Sequence, residues 1–348
     1  MKGNLFDMKE ITREGILAGG NWIIDNVKII DVYPKEDKLA NILKESNSNG
    51  GAPYSVLKAI SKMGFQFPLT GIGAIGDDER GDYILKECDK LNIDSSQIVK
   101  IQDTNTSYTD VMTVIGTGRR TFFHSRGANA HLDESYFSFS GHKSKIFHLG
   151  YLLLLDRLDT IAADGLTGAA KVLREAGNCG MITCSDLVSE QSERFKTIIP
   201  MALQYLDILF VNEFEAGKLT GIDICDEDGT CTLDMAYQAA DDILNKGVRQ
   251  WVIIHFPKGA IALNKSGEKI FQPSVKMPVE KIKGSVGAGD AFAAGVLAGV
   301  HEDWNMSKCL LLGVNVAAAS LMDASASESI LPWQECLKLG EKFNYNIQ

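Results

Sequence analysis

An α/β fold, with a mainly parallel central sheet between two helical layers and a small β-sheet lid, is the class this sequence predicts. Three observations point there. From Lys145 to Phe256 short apolar runs alternate with stretches of helical periodicity, the pattern of parallel strands covered by helices on both faces. Two earlier segments, about 22–50 and 106–127, are β-rich without a helix of their own, as insertions that build a separate small sheet would be. No internal repeat, low-complexity tract or linker divides the 348 residues, so one domain is expected over 1–348.

The elements follow in order. "GILAGGNWIIDNVKIIDVYP" reads as an apolar strand, a Gly-Gly turn and two short alternating runs punctuated by Asp25 and Asp31. The polar "KESNSN" reads as a spacer leading to Gly50-Gly51. In "APYSVLKAISKMG", Pro53 stands where a proline at the first helical position would, Val56, Leu57, Ile60 and Met63 recur at helical spacing, and Gly64 stops the run. "FPLTGIGAIGDDERGDYILKECDKLNID" repeats strand, Gly-rich turn and amphipathic helix. "TSYTDVMTVIGTGRRTFFHSRG" shows two β-rich runs joined by Gly116-Thr117-Gly118, a hairpin signal. The strands "KIFHLGYLLLL", "CGMITCSDL", "LDILFVN" and "RQWVIIHF" then alternate with helices, one of them running to Leu203. Ligands of such sheets bind beyond the carboxyl ends of the strands, where Asp186, Asn212 and a Gly-rich stretch near residue 287 all fall.

Composition narrows the partner. A net charge of -10 argues against nucleic acid or an acidic membrane surface, since both need clustered Lys and Arg, and favours a small molecule. The seven cysteines are odd in number and contain no C-x-x-C pair, which disfavours a disulfide framework or zinc site and reads as reduced thiols. "MKGNLFDMKEITREG" is charged throughout, and no run approaches the ~18 apolar residues of a membrane span, so a cytoplasmic protein is expected.

Lys283 to Val300, "KGSVGAGDAFAAGVLAGV", packs five glycines around the single carboxylate of Asp290. It reads as a loop entering a helix, where free amides attract an anion and glycines let a phosphate oxygen approach the backbone. Neither G-x-x-x-x-G-K-[ST] nor a G-x-G-x-x-G after the first strand is present. On this stretch alone Asp290 reads equally well as a proton acceptor beside the bound anion and as a capping or dipole-complementing aspartate.

The same stretch resembles the C-terminal signature of the ribokinase-like (PfkB) carbohydrate kinases, D-T-x-G-A-G-D-x-F-x-x-G. The resemblance implies a ribokinase-like fold and ATP-dependent, Mg²⁺-assisted phosphorylation of a sugar hydroxyl. It implies Asp290 as the catalytic base and the Gly287, Ala288 and Gly289 amides as the anion hole. "NGGAPYSVLKAISKMG" resembles the N-terminal signature, which gives Gly50 and Gly51 to the sugar, with Ser55 where the family often has Asn. "GGNWIID" implies Asp25 as the ligand of the sugar diol, and "GRRTFFHSRGANA" looks like the second lid segment. "LFVNEFEAGKLTG" matches the N-x-x-E element, which assigns Asn212 to phosphate and Glu215 to Mg²⁺. Gly259 and Asn315, the latter on a helix resembling the one that lines the adenine pocket, are implied at the nucleotide, with internal packing the alternative for Asn315. The likeness runs from Ile16 to Leu337 in the expected order, and two lids pairing through their edges imply a homodimer.

Two positions depart from the pattern. Gly284 stands where the signature usually has a carboxylate, which leaves a monovalent-cation site there open. Ile254-His255-Phe256 stands where a T-L-G turn normally touches the nucleotide, implying a reorganised or weaker contact. A nucleoside or sugar-acid kinase on the same fold, and a sugar sensor with weakened catalysis, are the alternatives to a fructokinase- or ribokinase-type enzyme. The six histidines show no metal-ligand spacing. Asp186 reads as a cap of the following turn, and Arg119, Arg120 and Arg126 as solvent-facing residues of the lid hairpin.

Overall fold

The computed structural model describes residues 12–226 and 230–346. Nine strands form the central sheet: β1 (Ile16–Gly20), β4 (Leu69–Gly76), β5 (Ile93–Ile101), β8 (Ile146–Leu152), β9 (Ile182–Leu187), β10 (Ile208–Asn212), β11 (Trp251–Phe256), β12 (Gly259–Asn264) and β13 (Lys269–Pro273). Their order is β13-β12-β11-β10-β9-β8-β1-β4-β5; the pairs from β5 through β11 are parallel, and β12 and β13 close one edge antiparallel. A second sheet, β3-β2-β6-β7, is built from β2 (Ile23–Ile30), β3 (Ile42–Gly50), β6 (Tyr108–Val114) and β7 (Arg120–Ser125).

Burial on both faces explains the continuous apolar strands. Within β1, Ile16 and Ala18 point into one core and Leu17 into the other, the period-two alternation of a strand. The first core is closed by α1 (Ala52–Met63), α2 (Glu79–Lys90), α8 (Ala288–His301), α9 (Met306–Ser320) and α10 (Trp333–Phe343). The second is closed by α3 (Gly168–Asn178), α4 (Arg194–Thr197), α5 (Pro200–Leu203), α6 (Glu213–Thr220) and α7 (Leu233–Asn245). Gly295 and Gly313 let α8 and α9 approach closely: a Cβ on Gly295 would come 2.8 Å from the Gly313 Cα.

Several local expectations are corrected. The polar run before Gly50 is not a spacer but the greater part of strand β3, exposed over Ile42–Asn47; lying at an edge with no core to cover, its Lys44-to-Asn49 stretch carries no hydrophobic signal. The two runs around Asp25 are the one strand β2. Pro53 is the second helical residue, after Ala52, where its missing N–H is equally harmless. The helix to Leu203 is two short pieces, because Pro200 cannot donate to a continuing helix. Cys225 and Cys231 are not free thiols: they form a disulfide across a short antiparallel bridge, a C-x₅-C spacing that a search for C-x-x-C passes over. The other five cysteines are free. Among the described residues, no helix is long and apolar enough to cross a membrane.

Candidate active site

The carboxyl ends of β8, β9, β10 and β11, the start of α8 and the inner face of the small sheet enclose a cleft of about 530 Å³. Asp25, Gly50, Gly51, Ser55, Asn212, Glu215, Gly287, Ala288, Gly289 and Asp290 all line it. Gly259 and Asn315 do not. Gly259 opens β12, and the buried Asn315 amide is committed to packing: it donates to Leu311 O and Tyr345 Oη and accepts from the Gly340 N–H, tying α9 to α10. A larger cleft, about 740 Å³, lies around Asn26, Lys28, Arg80, Tyr108 and Asp110 and contains none of the expected site residues.

Two glycines have backbone reasons to be where they are. Gly51 is the N-cap of α1 at φ 82°, and a Cβ there would sit 2.0 Å from the Asn21 carbonyl oxygen. Gly287 is the N-cap of α8 at φ 70°, with no side-chain cap, and a Cβ would reach within 2.5 Å of Ala326 Cβ. The first amides of α8 therefore face the cleft without a capping side chain. Gly50 serves by close approach, since a Cβ would meet the Asp25 carboxylate at 2.6 Å.

Asp290 lies in the first turn of α8 but is not its cap. Both its carboxylate oxygens accept from the Tyr151 hydroxyl, at 2.7 and 2.8 Å. Burial, then the neighbouring Asp186 charge, pushes its pKa up to about 8, while bonds from Tyr151 and Ser55 pull the other way. Across the cleft, burial lifts Asp25 to about 7 against a hydrogen bond from Thr109. Asn212 and Glu215 form a capping box on α6: Asn212 Oδ1 accepts from the Glu215 N–H at 2.8 Å and Glu215 Oε2 from the Asn212 N–H at 2.9 Å. Ser189 donates to Glu215 Oε1 at 2.7 Å, and burial nonetheless raises Glu215 to about 8.

The cleft also gathers residues that no motif announced. Asp186 makes no capping bond; it lines the cleft beside Asp290, and a Cβ on Gly150 would fall 2.0 Å from its Oδ1. Tyr151 is set by Asn21, whose side-chain oxygen accepts from the Tyr151 N–H at 2.7 Å while the Asn21 N–H donates to Gly150 O at 2.9 Å. His255, discounted as a ligand, borders Gly289 and packs against Phe292; burial holds it down to about 4, so the ring is neutral. Arg120 is half-buried, not free in solvent: it reaches from the lid to donate to Ser285 Oγ at 2.5 Å, over the Phe122 ring. Arg126 pairs with Asp156 at 3.4 Å. The one cue in the sequence for these positions was that strand ends of a parallel sheet converge. Gly284 lies against Asp323 and Ala324. Among the described residues no group of three or more His, Cys, Asp or Glu side chains is placed to hold a metal.

Comparison with known proteins identifies the family and the fold. A family model described as pfkB family carbohydrate kinase matches residues 21–334. A ribokinase of Haemophilus influenzae is 24% identical over 329 residues, 94% of this chain and 99% of that protein. A probable fructokinase-7 of Arabidopsis thaliana is 26% identical over 322 residues, 88% and 86% of the two chains. The structure of Arabidopsis thaliana ribokinase complexed with ribose and ATP superposes with a TM-score of 0.74 at 19% identity, covering 96% of this chain and 100% of that one.

Proposed function

The chain belongs to the pfkB family of carbohydrate kinases, ATP-dependent enzymes, and from that premise we propose that it transfers the terminal phosphoryl group of ATP to a hydroxyl of a free sugar, in the manner of a fructokinase or ribokinase. One observation carries the reading: Asp290, its pKa raised near the working range, stands at the uncapped N-terminus of α8 and faces Asp25 across a lidded cleft. A base works best with its pKa close to the operating pH.

Asp25 and the backbone at Gly50-Gly51 hold the sugar, with Ser55 beside them, and Asp290 takes the proton of the attacking hydroxyl. The amides of Gly287, Ala288 and Gly289 stabilise charge gathering on the transferred group, and the lid excludes competing water. Glu215 and Asn212 offer the oxygen donors that suit Mg²⁺, which needs only one or two carboxylates besides phosphate oxygens. When bound, Mg²⁺ supplies neutralisation of the phosphate charge. No monovalent-cation site is proposed at Gly284.

Arg120 favours a second reading on the same machinery. It is a cation at the roof of a cleft otherwise rich in carboxylates, and an acceptor with its own carboxylate, a sugar acid, would pair with it. The lid's exposed Leu39, Ile42, Leu43, Ile115 and Phe123 support pairing of two lids in a homodimer, which light scattering would show and a monomer at micromolar concentration would refute. The deciding experiment is ADP release across pentoses, hexoses, sugar acids and nucleosides, with Asp290→Asn as control. Turnover of a neutral sugar supports the first reading, and turnover of sugar acids alone the second. Tight sugar binding without ATP binding in calorimetry would leave a sensor.

A further inference from the structure

Two buried groups, one lining the cleft and one behind it, have no part in the reaction so far. His148, on β8, is fully buried, and neither ring nitrogen has a hydrogen-bond partner. Asp186 Oδ1, at the end of β9, is buried and likewise without one. They face each other, His148 Nε2 standing 3.5 Å from Asp186 Oδ1. Buried polar groups are costly to leave unpaired, and a single N–H from Nε2 to the carboxylate satisfies both Nε2 and Oδ1.

The surroundings hold the pair in place. In register His148 lies between Ala18 of β1 and Cys184 of β9, and the Phe210 ring meets its imidazole edge-on at 6.3 Å. Ser185, next to Asp186, bonds its hydroxyl to Leu149 O at 2.7 Å, clamping β9 to β8. Gly150 leaves the space that the Asp186 carboxylate fills.

We propose that His148 is a positioning residue for phosphoryl transfer: by donating from Nε2 to Asp186 Oδ1 it holds a second, charged carboxylate beside Asp290. The inference rests on Asp290 being the base. Negative charge on Asp186 makes Asp290 a stronger proton acceptor, and is the largest influence on it after burial. Without the His148 donor, the Asp186 carboxylate is free to turn away, and Asp290 loses that support. Asp290 is also faced by Asp25 from β2, Tyr151 from β8 and Ser55 from α1, while Arg120 and His255 line the same cleft, so each variant is compared with the wild type under one set of conditions.

The test is the pH profile of kcat/KM for the sugar at saturating Mg-ATP. His148→Phe and Asp186→Asn should each lower the plateau roughly ten- to a hundredfold. Each should also move the rising limb about one pH unit lower, with sugar KM held within about twofold. His148→Gln keeps an N–H donor and should recover most of the rate. In the Asp186→Asn background His148→Phe should add less than about twofold, because both act through one contact. An unmoved limb and plateau in His148→Phe, loss of thermal stability alone, or additive effects in the double variant would overturn the proposal. Should His148→Phe not fold, His148→Gln decides: any loss it causes must vanish once Asp186 is Asn, and an equal loss in both backgrounds overturns it. Full turnover in Asp290→Asn would instead remove the base itself, a separate outcome.

Discussion

Two helix N-termini open on the same cleft and are finished in opposite ways. At α6, Asn212 and Glu215 satisfy each other's amides reciprocally, and Ser189 takes up a remaining Glu215 oxygen. At α8, the cap is a glycine with positive φ and no side chain, and the nearby carboxylate bonds to Tyr151 on β8 instead of to the helix. The contrast separates a helix start whose free amides are met by side chains from one whose amides are not. It also removes the reading of Asp290 as the cap, because its carboxylate accepts from Tyr151 and not from the helix amides.

Breaking the open terminus should have the largest effect. Asp290→Asn is expected to lower kcat about 10³-fold while sugar affinity by calorimetry stays within roughly threefold, since the amide keeps shape and loses only proton acceptance. Unchanged turnover would remove the contrast at its root. Gly287→Ala comes next. The new Cβ meets Ala326 at 2.5 Å in a backbone conformation that disfavours alanine, so the amides shift, and kcat/KM for ATP should fall roughly 10- to 100-fold, read from initial rates.

The closed terminus should answer more weakly. Glutamine serves the third position of a capping box as glutamate does, so Glu215→Gln should leave thermal stability within about 0.5 kcal/mol of wild type at neutral pH. If Glu215 also meets the metal, the Mg²⁺ concentration for half-maximal rate should rise roughly tenfold, because one carboxylate of a sparse ligand set is gone. A magnesium titration that does not move would assign Glu215 to the fold alone.

The same contrast marks what could be read from the sequence. The α8 loop is legible because its chemistry lies in contiguous residues, Gly287 to Asp290, and the lid hairpin because Gly116 to Gly118 punctuate two β runs. Strand β3 was hidden because, beyond Ile42 and Leu43, its exposed residues Lys44 to Asn47 are all polar, on an edge with nothing to cover. Tyr151, Asp186, His148 and His255 were hidden for another reason. His148 and Tyr151 sit in β8, Asp186 in β9 and His255 in β11, and only the parallel register of these apolar strands brings their ends together. Arg120 reads as solvent-facing in sequence because nothing local to the hairpin indicates that the lid folds back onto Ser285. For Asn315 the helix was found, yet the partners of its amide, Gly340 and Tyr345, lie 25 or more residues downstream.

The smallest effect expected is on stability, and its sign runs against ordinary acid denaturation. Asp25, Glu215 and Asp290 have folded-state pKa values raised to about 7, 8 and 8 from 3.8, 4.5 and 3.8. A carboxyl whose pKa is raised by folding binds its proton more tightly in the native state. Its contribution is fully present below about pH 4 and is lost as pH rises through 7 to 8. Groups such as Glu328, held down to about 2 mainly by hydrogen bonds from Lys58 and Lys62 that outweigh its burial, act oppositely and lose their contribution only toward strong acid. Stability of the ligand-free protein should therefore peak on the acid side of neutrality, and Tm should fall by roughly 3–6 °C between pH 5.5 and 8.5. Asp290→Asn removes one of the three titrations and relieves the repulsion with Asp186, so its Tm should fall less over the same interval, as differential scanning calorimetry would show. Glu215→Gln should flatten the curve to a similar degree, because the two carboxyls, unlike in their bonding, are alike in burial. A Tm that rises from pH 5.5 to 8.5 in the wild type would mean that these carboxyls are charged without penalty, and that the cleft is wetter and more open than its packing indicates.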